Sequence, residues 1–140
     1  MKSKPIYIDS SVIVADLFGQ VQFERLRDDG IEIYSSELCE VEIFRAIERA
    51  RLTNQLTDWS TALKTKEAGQ WLESIYIIPF SREIIVLARH TFGVPVRALD
   101  ALHVASAQWL SREQQTELLF CTHDQQQKRA AMSRGLEVVG

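Results

Sequence analysis

The sequence predicts an α/β protein: a central parallel sheet of four to five strands with helices on both faces, a three-layer arrangement. Two observations lead there. Short apolar runs recur along the chain and stop at a polar or turn residue, as buried strands do. Between them lie stretches with apolar residues three and four apart, the period of a helix that buries one side. Strands that alternate with helices over a whole domain call for a parallel sheet covered on both faces. A length of 140 residues with no linker, repeat or low-complexity tract points to a single domain over residues 1–140.

The elements follow in order. Ile6-Tyr7-Ile8 is an apolar run that ends in Asp9-Ser10-Ser11, a carboxylate and two hydroxyls. It reads as a buried first strand. Ser10 or Ser11 can cap a helix carrying Val12, Ile13, Val14 and Leu17, which Gly19 ends. A polar amphipathic piece follows from about Gln20 to Asp29, with Phe23 and Leu26 facing inward and Gly30 as its breaker. Ile31-Glu32-Ile33-Tyr34 alternates and reads as the second strand. Ser35 or Ser36 caps a helix to about Arg51, with Cys39, Ile43, Ala46, Ile47 and Ala50 as its apolar stripe. A further helix covers Trp59 to Glu73.

Ser74-Ile75-Tyr76-Ile77-Ile78 is the third strand, closed by Pro79. Ser81 opens a helix through Ile84, Ile85, Leu87 and Ala88 that ends near Gly93-Val94-Pro95. Ala98 to Leu110 is apolar apart from Asp100, His103, Ser106 and Gln108, which suggests a helix buried on most sides. Leu118-Leu119-Phe120-Cys121 is the fourth strand; Asp124 opens a helix that Gly135 closes, and Leu136-Glu137-Val138-Val139 is a short last strand.

Composition narrows the function classes. Hydrophobic content of 46% and charged content of 25% are those of an ordinary globular domain. A net charge of −3 argues against a strongly basic nucleic-acid surface. Four acids singled out below carry −4; without them 16 basic residues face 15 acidic ones, a balance of +1 that argues neither for nor against a nucleic-acid substrate. Cys39 and Cys121 lie far apart without metal-ligand or redox spacing and read as reduced, partly buried thiols of a cytoplasmic protein. No signal peptide is expected, since Asp9 and Asp16 interrupt the apolar run behind the basic start. No run approaches the ~20 apolar residues of a membrane span.

Right-handed crossovers place the ends of parallel strands, and the loops after them, along one edge. Asp9 and Asp124 both follow strands there, while Glu42 and Asp100 lie on helices that can lean over it. Asp9 would anchor a ring of these four acids. Carboxylates this close stay ionised only if a cation sits among them.

Several stretches together resemble the PIN-domain nucleases, and in particular the VapC-type toxins. They are Ile8-Asp9-Ser10-Ser11, then Leu99-Asp100-Ala101-Leu102-His103-Val104-Ala105-Ser106-Ala107, and Cys121-Thr122-His123-Asp124 with Ala130-Ala131 and Gly135-Leu136-Glu137-Val138. Glu42-Ile43-Phe44-Arg45-Ala46 is a weaker match. The resemblance spans the chain and implies a PIN-like three-layer fold. It implies Mg2+- or Mn2+-dependent hydrolysis of RNA at the acids, with Asp9, Glu42, Asp100 and Asp124 as catalytic, metal-holding residues and Ser11 and Thr122 as supporting polar groups. It further implies a toxin that forms a homodimer and is silenced by a small antitoxin. The chain departs from the pattern at Gln125-Gln126-Gln127, where some members carry another acid. That departure weighs against strong binding of a second metal.

Each acid also admits a plainer role. Asp9 can simply end a strand and cap a helix, and Asp124 with Gln127 makes a capping pair. Asp100 is harder to explain this way, as the only charge between Arg97 and Arg112 on an otherwise buried helix. Glu40 rivals Glu42, because the two flank the apolar stripe on opposite sides and periodicity does not choose. His103 shares a face with Asp100 and reads as a hydrogen-bonded packing residue. Trp59, Trp71 and Trp109 read as core or interface residues rather than base-stacking platforms. An alternative is a PIN domain with weak catalysis that serves as an RNA-binding or assembly module. A phosphoryl-transfer domain of the haloacid kind needs an acid two residues after Asp9, where Ser11 stands. A receiver domain needs an early acid pair and a late lysine that are absent.

Overall fold

The computed structural model describes residues 4–20 and 30–140. Among them, five strands form one parallel sheet in the order β3-β2-β1-β4-β5. In chain order the elements are β1 (Ile6–Ile8), α1 (Ser10–Leu17), β2 (Ile33–Ser36), α2 (Leu38–Leu52), α3 (Asp58–Ser74), β3 (Tyr76–Ile78), α4 (Arg82–Arg89), α5 (Ala98–Gln114), β4 (Leu119–Cys121), α6 (Gln125–Ser133) and β5 (Glu137–Val139). This is the expected three-layer α/β fold. The polar piece expected around Phe23 and Leu26 lies outside the described residues.

The pleat of β1 divides the core. Ile6 and Ile8 point to one face, where Val12, Ile13 and Leu17 of α1, Cys39, Ile43 and Ile47 of α2, and Ala68 and Trp71 of α3 cover them. Tyr7 points to the other, against Ile84 and Leu87 of α4, Val104, Ala105 and Ala107 of α5, Phe120 of β4, and Ala130 and Ala131 of α6. Side chains on both faces of the central strand are fully buried, so its run must be apolar throughout. Burial of this kind is worth roughly 1.5–3 kcal/mol per large side chain, before the entropy of ordering is set against it.

Several boundaries shift from the expected ones, for local reasons. The second strand starts at Ile33 and runs on through Ser35 and Ser36, because both serines pair with β3 opposite Ile77 and Ile78. Ser35 Oγ donates to the Ile8 carbonyl at 2.7 Å, a tie across the sheet rather than a helix cap. Glu37 holds the N-cap position of α2, while Ser36 Oγ accepts from Leu38 N–H at 3.0 Å. Neither Ser10 nor Ser11 caps α1: the N-cap residue is Asp9, whose side chain makes no capping bond. The third helix is capped by Thr57, which accepts from Ser60 N–H, and the fourth by Ser81, which accepts from Ile84 N–H. Helix α5 runs past Leu110 to Gln114 and ends at Gln115 in the left-handed conformation. Of the tryptophans, Trp71 is core and Trp59 is 74% exposed.

No helix of the described residues is long and apolar enough to cross a membrane. Both cysteines are free and buried, and burial pushes each thiol up to about 11. An unfolded thiol ionises near pH 8.5, so the unfolded chain releases these protons first. The native state therefore loses stability as pH rises from about 9 toward 11. At pH 8 the native protein should leave both thiols unreacted with an aromatic disulfide reagent and release two equivalents once unfolded in guanidinium. Rapid reaction of the native protein would contradict the packing of Cys39 and Cys121.

Candidate functional site

The chain lays down β2 and β3 on one side of β1, then crosses to build β4 and β5 on the other. The strand order therefore reverses between β1 and β4. In open parallel sheets the crevice at the carboxyl ends of such a pair is the natural ligand position, because loops from both strands diverge there. Asp9 is the first residue beyond β1, and Thr122 the first beyond β4.

Asp9 is 4% exposed. Its Oδ1 accepts from Ser11 Oγ at 2.5 Å and its Oδ2 from Thr122 Oγ1 at 2.5 Å. One donor comes from the first turn of α1 and the other from across the sheet, so both oxygens are fixed. Burial lifts the Asp9 carboxyl above the usual range; His103 and the two hydroxyls oppose that, and Glu42 adds to it. Ser11 Oγ also accepts from His123 N–H at 3.2 Å, and Thr122 Oγ1 from Asp124 N–H at 3.1 Å.

Asp124 is exposed and occupies the N-cap of α6. Its Oδ1 accepts from Gln126 N–H at 2.8 Å and Gln127 N–H at 3.1 Å. Gln127 is fully buried and turns its amide to the Asp100 carbonyl oxygen, at 3.3 Å. Asp100 lies in the first turn of α5, half-buried, and its carboxyl makes no hydrogen bond among the described residues. Burial raises that carboxyl, followed by repulsion from Asp124, while His103 opposes and Asp9 and Glu42 add further repulsion.

One turn along α5, His103 is 1% exposed. Its Nε2 lies 2.6 Å from Glu42 Oε1 and its Nδ1 2.7 Å from the Tyr7 hydroxyl. Tyr7 stands two residues before Asp9 on β1. The contacts thus form a closed circuit. It runs from Asp9 through Thr122 to Asp124, through Gln127 to Asp100, along α5 to His103 and Glu42, and back through Tyr7.

All four expected acids border this circuit, and Ser11 and Thr122 sit where the sequence puts them. Of the two glutamates, Glu42 faces His103, while Glu40 is exposed and its carboxyl makes no hydrogen bond among the described residues. Asp124 caps α6 through Gln127 N–H, as the pairing of the two residues in sequence suggests. Sequence reasoning misses Tyr7, which reads as one more strand aromatic, and the bond from the Gln127 amide to Asp100, for which there is no local signal.

The donors are carboxylate oxygens, the class that Mg2+ and Mn2+ select. Among the described residues no lysine or arginine pairs with any of the four acids. His103 offsets part of their mutual repulsion, and a divalent cation would relieve the rest. Among the same residues, no three acids, histidines or cysteines are already gathered as a ligand group. Asp9 has both oxygens on hydroxyls, and Glu42 and Asp124 have one each on protein donors. The residues fit such an ion in chemistry and charge, and Asp100 keeps both oxygens uncommitted. A pocket of about 390 Å³ opens beside Asp124, lined also by Ser11, Val14, Ala15, Gln20 and His123.

Comparison with known proteins agrees with this architecture. Residues 6–132 match the family model described as the PIN domain. Ribonuclease VapC47 of Mycobacterium tuberculosis is 28% identical over 115 residues, covering 77% of this chain and 78% of that one. In the solved structure of VapBC2 from Rickettsia felis, bound to a DNA fragment from its promoter, a chain superposes with a TM-score of 0.67 at 13% identity. That match covers 96% of both chains. VapBC-1 from nontypeable Haemophilus influenzae gives 0.65 at 12% identity over 96% of both chains. PAE2754 from Pyrobaculum aerophilum gives 0.61 at 18%, over 97% of this chain and 84% of that one. These structural likenesses speak to the fold; the match over 6–132 speaks to descent, and the chain belongs to the PIN-domain family.

Proposed function

We propose that this protein is a Mg2+- or Mn2+-dependent endoribonuclease and the toxin of a toxin–antitoxin pair. The observation that carries the reading is the set of four acids on the crevice between β1 and β4, none of them paired with a lysine or arginine among the described residues. The name of the mycobacterial relative, a ribonuclease, supports RNA as substrate. The VapBC structures among the relatives in fold support a small antitoxin as partner. So do the large apolar side chains exposed on α2 and α3, with Val41, Leu52 and Trp59 at 60%, 68% and 74%. A homodimer in the cytoplasm belongs to the same reading.

Asp9, Asp100 and Asp124 would hold the cation, with Glu42 beside them. A bound divalent ion supplies Lewis-acid stabilisation of charge at the scissile phosphate and eases deprotonation of water. The chain's own residues do the rest. Ser11 and Thr122 lock the Asp9 carboxylate so that it need not reorganise. The backbone N–H groups of α6 hold Asp124. Glu42 has one oxygen tied to His103 and Oε2 without a hydrogen bond among the described residues, placed to accept a proton.

Purified protein freed of antitoxin should cut RNA with Mg2+ or Mn2+, and EDTA or Asp100→Asn should abolish cutting. Equal cutting by the variant would reject the reading. One observation favours a second reading, an RNA-binding or assembly module with weak catalysis: the absence of a gathered ligand group among the described residues. A melting temperature unchanged by millimolar Mn2+ would select that module.

Burial of Asp9 and Asp100, with repulsion from the neighbouring acids added to it, also leaves a signature without metal. The folded-state pKa values of Asp9 and Asp100 are raised, so ionising them costs more in the fold than in the unfolded chain. The stability they allow is fully present below the ordinary carboxylate range near pH 4 and is lost as pH rises through the raised values. At pH 7 in EDTA, Asp100→Asn should therefore melt above the wild type; a lower melting temperature would contradict the cost of burying this charge among other acids.

A further inference from the structure

We propose that His103 is a positioning residue: clamped between Tyr7 and Glu42, it fixes the Glu42 carboxylate at the crevice through a donated Nε2–H. The inference rests on the functional reading above and deepens it, since it concerns how that site holds its shape.

The geometry makes the case. Glu42 sits on α2, whose buried stripe packs with α1 and α3, whereas the crevice is bounded by α5 and the β4–α6 loop. A glutamate side chain has three rotatable bonds, and nothing else described restrains this one. His103 supplies the restraint from the opposite layer, at 2.6 Å. It is itself held, being 1% exposed in the core of α5 with its ring edge-on to the Tyr7 ring at 5.9 Å. Tyr7 in turn is fully buried and stacks on Phe120 of β4 at 5.3 Å.

The direction of the hydrogen bonds follows from the carboxylate. A carboxylate oxygen accepts, so the 2.6 Å contact puts an N–H on Nε2 that points at Glu42 Oε1. Nδ1 then faces the Tyr7 hydroxyl at 2.7 Å, which holds the other side of the ring. A buried phenol thus steadies the ring and the ring orients a carboxylate, the same division of labour by which outer groups orient metal ligands. A packing histidine would need neither hydrogen bond directed in this way.

The test uses the purified full chain as wild type, His103→Ala, His103→Gln, Tyr7→Phe, Glu42→Gln and Glu42→Gln with His103→Ala. Free Mn2+ is followed by electron paramagnetic resonance, and the ring nitrogens by long-range 1H–15N correlation. The wild-type spectrum should show His103 protonated on Nε2. His103→Ala should weaken Mn2+ binding roughly 10- to 100-fold. His103→Gln, which can place an amide N–H near Nε2, should recover part of the loss, and Tyr7→Phe should fall between. In the Glu42→Gln background, His103→Ala should add little. Unchanged Mn2+ affinity in folded His103→Ala would overturn the proposal, as would an undiminished effect in the Glu42→Gln background or a ring protonated on Nδ1 alone. If His103→Ala does not fold, His103→Gln and Tyr7→Phe decide, and wild-type affinity in both overturns it. A wild type that binds no Mn2+ overturns the functional reading instead, and the ring spectrum with its response to Glu42→Gln still decides the role of His103.

Discussion

The site depends on one constraint: a carboxylate buried at the end of the central strand must be satisfied without a positive side chain. Asp9 meets it with two hydroxyls, one from its own helix and one from across the sheet. Moving an ionised carboxylate out of water costs several kcal/mol, and each hydrogen bond to it returns about 1.5–3 kcal/mol. Those bonds also pin α1 and the β4–α6 loop to β1, so the same contacts that make the burial tolerable define the crevice.

The rest of the fold delivers the other acids. Three helices on one face bring Glu42 to the edge from α2, and the return crossing on the other face brings Asp100 at the start of α5. Gln127 ties α6 to the start of α5 within one layer, and His103 joins that layer to α2 on the opposite face. Because every link is a side chain on a different element, the arrangement exists only when the whole sheet is assembled. A site of this kind is global in origin, although each acid looks local in sequence.

That origin explains what the sequence reveals. The layer architecture is legible because strand and helix periods are local properties, and Asp9, Asp100 and Asp124 stand out as acids bordering apolar runs. The second strand lies two residues later than its alternating pattern suggests, because Ser35 and Ser36 resemble cap residues and only their pairing with β3 makes them strand. The bonds from Tyr7 to His103 and from the Gln127 amide to Asp100 are silent, since each depends on a partner 96 or 27 residues away. Choosing Glu42 over Glu40 needs the position of α5, which periodicity on α2 cannot supply.

The account stands on the acids being a cation site rather than an accident of packing. Its most direct measurement is a crystal of the protein grown with Mn2+ and examined by anomalous scattering. The account predicts a peak at the crevice between β1 and β4, within coordination distance of Asp100 and at least one of Asp9 and Asp124. A fully ordered crevice with no anomalous peak among these carboxylates would contradict it.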